Sequence, residues 1–163
     1  MARYKELKYN GETITEKYKI DEILLDNGFN WFLDAEVENM RLEIMKETLI
    51  INAGIWYNGV WEYGVLRDVD WRSGTFMNGV IYNGVFKKIT VEKGIIFNGK
   101  FLKGNVLKAD VRGGEFMDVT IARDCVIEKG VKRTGSEIQM DIPQTQTQQY
   151  ENFKIKKIKD FLK

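Results

Sequence analysis

"GIWYNGVWEYGVLRDVDWRSGTFMNGVIYNGVFKK", residues 54–88, sets a small residue, most often glycine, at every fifth position and an apolar residue two places after it. Cut from Gly54, the units run on with an apolar third letter throughout: Trp56, Trp61, Leu66, Trp71, Phe76, Ile81, Phe86, Val91, Ile96, Phe101, Val106, Val111, Phe116, Ile121 and Val126. Neither the 3.6-residue period of a helix nor simple strand alternation generates a strict five. A short side, a corner and another side does. A beat of this kind marks a solenoid, whose sides wind into coils and whose coils stack.

A second beat overlies the first. Leu49, Val69, Ile89 and Ala109 replace the leading glycine at 20-residue spacing, which predicts a coil of four five-residue sides. The inward columns would then be Trp56/Phe76/Ile96/Phe116, Trp61/Ile81/Phe101/Ile121, Leu66/Phe86/Val106/Val126 and Ile51/Trp71/Val91/Val111. About four such coils at the ~4.8 Å strand spacing make a rod on the order of 20 Å long. Asn58-Gly59, Asn78-Gly79, Asn83-Gly84 and Asn98-Gly99 suit corners with positive φ, and the missing side chains leave room for Trp and Phe inside.

Over residues 49–130 this lettering resembles the pentapeptide-repeat family. The resemblance implies an all-β, right-handed, quadrilateral β-helix, with the central apolar residue and the small residue two before it pointing inward. The lettering departs from that family in using Gly for its usual Ala or Cys, and Trp for its Leu or Phe. It is also similar to the Gly- and Trp-rich "NGxWxxGxW" solenoids of tailed-phage proteins.

The flanks divide by composition. Residues 1–48 are expected to form a small mixed α/β cap. It holds a hairpin at Asn10-Gly11, a helix from Thr15 to Asn27-Gly28, and over AEVENMRLEI either an irregular first coil from residue 35 or a helix. Residues 131–143 read as a terminal strand, 144–149 as a polar linker, and 150–163 as a short basic amphipathic helix with Phe153, Ile158, Phe161 and Leu162 roughly on one face.

Composition narrows the chemistry. Among 163 residues there is no histidine, which removes the commonest general base, the Ser-His-Asp arrangement and nearly every zinc site. We therefore expect no catalysis, no metal and no cofactor. Net charge is +1, so no global pull toward nucleic acid or membrane is expected. The solenoid itself is net +2, which fits poorly with the duplex-DNA mimicry that the pentapeptide-repeat resemblance implies. The lone Cys125 should face outward without an activating neighbour. No stretch approaches the ~18 apolar residues of a membrane span and no signal-peptide core precedes the fold, so a virion or a host cytoplasm is the expected location.

Three motifs compete with the repeat for meaning. GIIFNGKF, residues 94–101, nearly matches a phosphate loop, but Phe101 replaces the metal-binding hydroxyl and the five-beat already explains both glycines. Asp70-x-Arg72 and Asp110-x-Arg112 would share a side with Thr90-x-Glu92, as a solvated charge ladder or a carboxylate pair. Tyr57, Met77, Phe97 and Met117 would form an outward apolar strip, flanked by Ile55 and Ile95 and adjoined by Val60, Val80, Tyr82 and Leu102. Such a strip is covered by the chain's own ends, by a second copy or by another protein. The resulting expectation is a non-enzymatic structural or adaptor protein of a tailed-phage virion, contacting virion subunits or itself through this strip and its terminal segments. The alternative is a phage-encoded inhibitor of a host protein.

Overall fold

A computed structural model describes residues 2–135, with the backbone of 137–138. Its strands follow the five-beat, and the coil they form has three sides. Paired strands lie in parallel with partners fifteen residues apart: Trp56 with Trp71, Trp61 with Phe76, Leu66 with Ile81, Phe86 with Phe101 and Val91 with Val106. Amides reach back sixteen residues to the coil before, as from Val80 N to Gly64 O at 3.0 Å and from Val85 N to Val69 O at 2.9 Å. Three five-residue sides close each coil, and about six coils stack. At the usual strand spacing the rod is roughly 29 Å long.

The expected four-sided coil and its 20-residue columns are therefore overturned, while the expected inward residues are buried as far as Ile121; Val126, expected inward, pairs beside Asp110 instead. All fourteen third-letter residues from Trp56 to Ile121 are buried. They form one column per side: Trp56/Trp71/Phe86/Phe101/Phe116 on the first, Trp61/Phe76/Val91/Val106/Ile121 on the second and Ile51/Leu66/Ile81/Ile96/Val111 on the third. The 20-residue beat is real but is not the circumference. Twenty is one coil plus one side, so Val69, Ile89 and Ala109 fill one corner per coil and step to the next side each time.

Most of the remaining corners carry glycine, for two reasons at once. Gly79 has φ +127° and Gly104 φ +138°, which side chains rarely adopt. A Cβ on Gly79 would also collide with the Gly64 carbonyl oxygen, and one on Gly104 with that of Ile89, the atoms that accept the inter-coil hydrogen bonds. Close approach of successive coils and the backbone turn thus select the same residue.

The N-terminal unit follows its expected order with local differences. Strands β1 (Tyr4–Tyr9) and β2 (Glu12–Ile14) pair antiparallel around Asn10-Gly11, both at positive φ, as a type I′ turn requires. Helix α1 (Lys17–Asp26) starts one residue later than Thr15 suggested: Glu16 is its N-cap and makes no side-chain cap. Asn27 and Gly28 end it, and α2 (Asn30–Leu33) follows. AEVENMRLEI is neither coil nor helix. It is β3 (Glu36–Met45), which runs antiparallel to β4 (Thr48–Asn58) across a two-residue turn at Lys46-Glu47 and parallel to β1. The beat slips here because β4 is shared: it is a hairpin arm that continues as the first coil.

One hydrophobic core runs from this unit into the rod. Trp31 lies edge-on to Trp61 at 5.0 Å, and Phe32 packs on Trp56 at 6.0 Å, covering rings of the first coil. Arg3 donates to the carbonyls of Ala35 and Phe32, each at 2.7 Å, and stacks over the rings of Tyr4 and Phe32. Tyr4 OH donates to Asp21 Oδ1 at 2.5 Å, with Lys17 Nζ on the other oxygen at 2.9 Å. Burial pushes the Tyr4 hydroxyl well up. Burial would also raise Asp21, but hydrogen bonds from Tyr4 and Lys17 prevail and hold its carboxyl below the ordinary 3.8.

At the far end the beat breaks. Val111 pairs with Ile127 rather than Val126, sixteen residues on, and Phe116 with Arg133, seventeen on. The strand at Glu137–Ile138 pairs beside Thr120 and Ile121. The rest of the predicted terminal strand, the polar linker and the 150–163 helix lie outside the described residues.

Three outcomes test this fold. Phe86→Ala should cost about 3–5 kcal/mol in urea denaturation, as ring-sized cavities do. Gly79→Ala, with less side chain than most replacements, should still cost more than about 1 kcal/mol. Because Asp21 titrates lower in the folded chain, its stabilisation is present above pH ~4 and fades as pH falls through the folded value. Asp21→Asn should therefore flatten the acid limb of the stability profile and leave the profile near neutral pH with the same shape.

Candidate docking face

Beside each inward residue stands an outward one, and the three sides treat it differently. On the first side the outward residues include Ile55, Asp70, Val85, Lys100 and Glu115; on the second, Val60, Thr75, Thr90, Asn105 and Thr120. Most of these are polar; Val60 and Val85 are exposed, at 44% and 41%, and Ile55 is half-buried. On the third side the same position reads Ile50, Val65, Val80 and Ile95, and the four are 5%, 4%, 1% and 0% exposed. They form an aliphatic cluster separate from the rod's interior.

Phe97 packs against this cluster and stacks on Tyr82, ring centroids 5.0 Å apart and planes 7° apart. Arg112 lies over the Phe97 ring at 5.8 Å and donates to Asp110 Oδ2 at 2.9 Å. Asp110 ends the aliphatic column. At the opposite end, a cleft of about 170 Å³ opens between Met45, Lys46, Thr48, Ile50, Val65, Arg67 and Tyr82. The third side thus carries a buried aliphatic lane with an aromatic pair along one margin.

The expected strip is dispersed by the three-sided coil. Tyr57, Leu102 and Met117 lie on the first side, Met77 on the second, and Tyr82 and Phe97 on the third. Leu102 and Met117 remain neighbours, one coil apart. Tyr57 is engaged locally: its hydroxyl donates to Glu38 Oε2 at 2.8 Å, and Arg72 stands over its ring. Phe153, Ile158, Phe161 and Leu162 lie outside the described residues. What the five-beat alone hid was the lane itself. Its signal is the β-branched set 50, 65, 80, 95, visible only when the sequence is written fifteen to a line.

The same register dismantles the carboxylate candidate. Asp70, Thr90 and Asp110 sit on three different sides, not one above another. Each aspartate is instead paired along its own strand. Arg72 forks onto both Asp70 oxygens at 2.9 and 2.8 Å, and Arg112 binds Asp110. In GIIFNGKF the two glycines are corners, and a strand, not a helix, follows. Among the described residues no cluster of acidic residues or cysteine could hold a metal ion, and no helix is long and apolar enough to cross a membrane.

Cys125 is buried, contrary to its expected outward position. The slip at the end of the rod carries it above Ala109, into the small inward site, where Sγ contacts the Val106 carbonyl at 3.5 Å. Burial pushes its thiol up to about 11. Searches with this chain found no matching family model, no matching curated protein and no matching solved structure.

Val80 and Val85, buried and exposed at the equivalent position, supply a matched test. Val80→Asp puts a charge in a buried position and should cost about 1–3 kcal/mol, whereas Val85→Asp should stay within about 0.5 kcal/mol of the parent. Cys125 should react with a disulfide reagent at pH 8 at least ~100-fold more slowly in the native chain than in denaturant, because a buried thiol lacks both access and ionisation.

Proposed function

We propose that this protein is a non-catalytic structural adaptor, and that the third side of its rod is the face that takes up an apolar segment of polypeptide. The observation that carries the reading is the contrast at one structural position. Val65 and Val80 are almost fully removed from solvent, while Val60 and Val85 at the equivalent outward position are not. A ledge of small β-branched side chains beside an aromatic pair suits a helix or strand laid along it. The lack of histidine and the pairing of Asp70 with Arg72 and of Asp110 with Arg112 agree with a binding role.

In this reading the N-terminal unit is a cap. Trp31 and Phe32 lie on the first coil's rings, where an uncovered edge would pair with another chain. The coils wind right-handedly, the sense in which nearly all parallel strand connections turn. The lettering that resembles tailed-phage solenoids locates such an adaptor in a virion. Mass spectrometry of purified virions should find the chain at a fixed stoichiometry; its absence from them would remove the virion assignment.

A further inference from the structure

The N-terminal unit leaves one strand edge open. Among the described residues β2 pairs with β1 alone. In a two-residue hairpin the residues flanking the turn, here Tyr9 and Glu12, exchange both hydrogen bonds. The next pair, Lys8 and Thr13, is therefore the unbonded one, so the Thr13 N–H and C=O point to the open edge. Such an edge is a template for a further strand.

Beside it, between β2 and α1, lies a cleft of about 510 Å³. Half-buried Ile14 and Ile23, both packed on the core, supply its apolar lining, and Glu12, Glu16 and Glu22 are exposed around them. Lys19 also lines the cleft, and Glu16 holds it at 3.4 Å. Glu12 and Glu22 form no ion pair among the described residues. The excess of acid extends to the whole unit: residues 1–48 hold 11 acidic and 7 basic residues.

Charge decides the occupant. A second copy laid edge to edge would bring two such sets of carboxylates together, the device by which natural edges avoid pairing with themselves. A basic strand meets the opposite condition. Side chains of β2 alternate between faces, so Glu12 and Ile14 point the same way. Residues opposite them on an added strand would also share that face, two positions apart.

We propose that the open edge of β2 is a second docking site, independent of the third side of the rod. Its occupant is an extended basic segment of another protein, added as a strand. Thr13 exchanges backbone hydrogen bonds with it, an aliphatic side chain lies opposite Ile14, and a lysine or arginine lies opposite Glu12. Glu22, on the α1 side of the cleft, adds to the attraction for that cation.

The test uses the full chain and a fluorescein-labelled octapeptide in which threonine alternates with valine and lysine in turn. Fluorescence anisotropy at low salt should show saturable binding, weakened at least ~10-fold when glutamate replaces the lysines. Thr13→Pro removes the outward N–H without breaking a bond to β1 and should also weaken binding at least ~10-fold. Glu22→Lys, on an exposed helix face, leaves the edge intact and should weaken it at least ~3-fold. Should Thr13→Pro unfold the hairpin, Glu22→Lys and the glutamate peptide decide the question. Equal affinity for the two peptides, or unchanged binding in either variant, would overturn the proposal. Binding of neither peptide would overturn it too, leaving the glutamates as guards of the edge. A dimer in sedimentation that Thr13→Pro returns to monomer would overturn the choice of occupant by placing a second copy there.

Discussion

Ring upon ring at the spacing of strand upon strand is the constraint from which the rest of this molecule follows. Phe86, Phe101 and Phe116 stack at 4.5 and 4.6 Å with planes 5° apart, and Trp56 and Trp71 at 4.7 Å and 6°. Neighbouring strands in a sheet are ~4.7–4.9 Å apart, so a flat ring fits one rung with no slack. That fit holds only if each coil returns to the same place after fifteen residues. The tilt of 41° between Trp71 and Phe86 marks the junction where indoles give way to phenyl rings. Corners must then be narrow enough for successive backbones to meet, which is why glycine is repeated despite its entropic cost.

The indoles bring a cost of their own. Nε1 of Trp56, Trp61 and Trp71 has no acceptor among the described atoms, and an unpaired buried donor is unfavourable by about 1–3 kcal/mol. Each ring in return buries on the order of 200 Å² and fills the first coils, which meet Trp31 and Phe32. The tryptophan-filled end of the rod is the end joined to the N-terminal unit, and one core passes through both.

Much of this was legible in the letters, and the misreadings have a common cause. A five-residue beat identifies sides, corners and inward residues without saying how many sides make a coil. The stepping of Val69, Ile89 and Ala109 suggested twenty; the aromatic set 56, 71, 86, 101 and 116 states fifteen, but alternate Trp and Phe at other sides blur it. One wrong circumference moved every outward residue to another face, so Tyr57, Met77, Phe97 and Met117 seemed a strip and Ile50, Val65, Val80 and Ile95 did not. Cys125 was misplaced by a different mechanism. A single inserted residue after Ile121 shifts it from an outward to an inward site, and neither lettering nor composition announces the insertion.

The central claim is the fifteen-residue, three-sided coil, since both the core columns and the docking face are consequences of it. Nuclear Overhauser contacts of the Val85 backbone test it most directly. The three-sided coil predicts cross-strand contacts from Val85 to Asp70 and Lys100, fifteen residues away in each direction. Contacts from Val85 to Val65 and Asn105, twenty residues away, would contradict it.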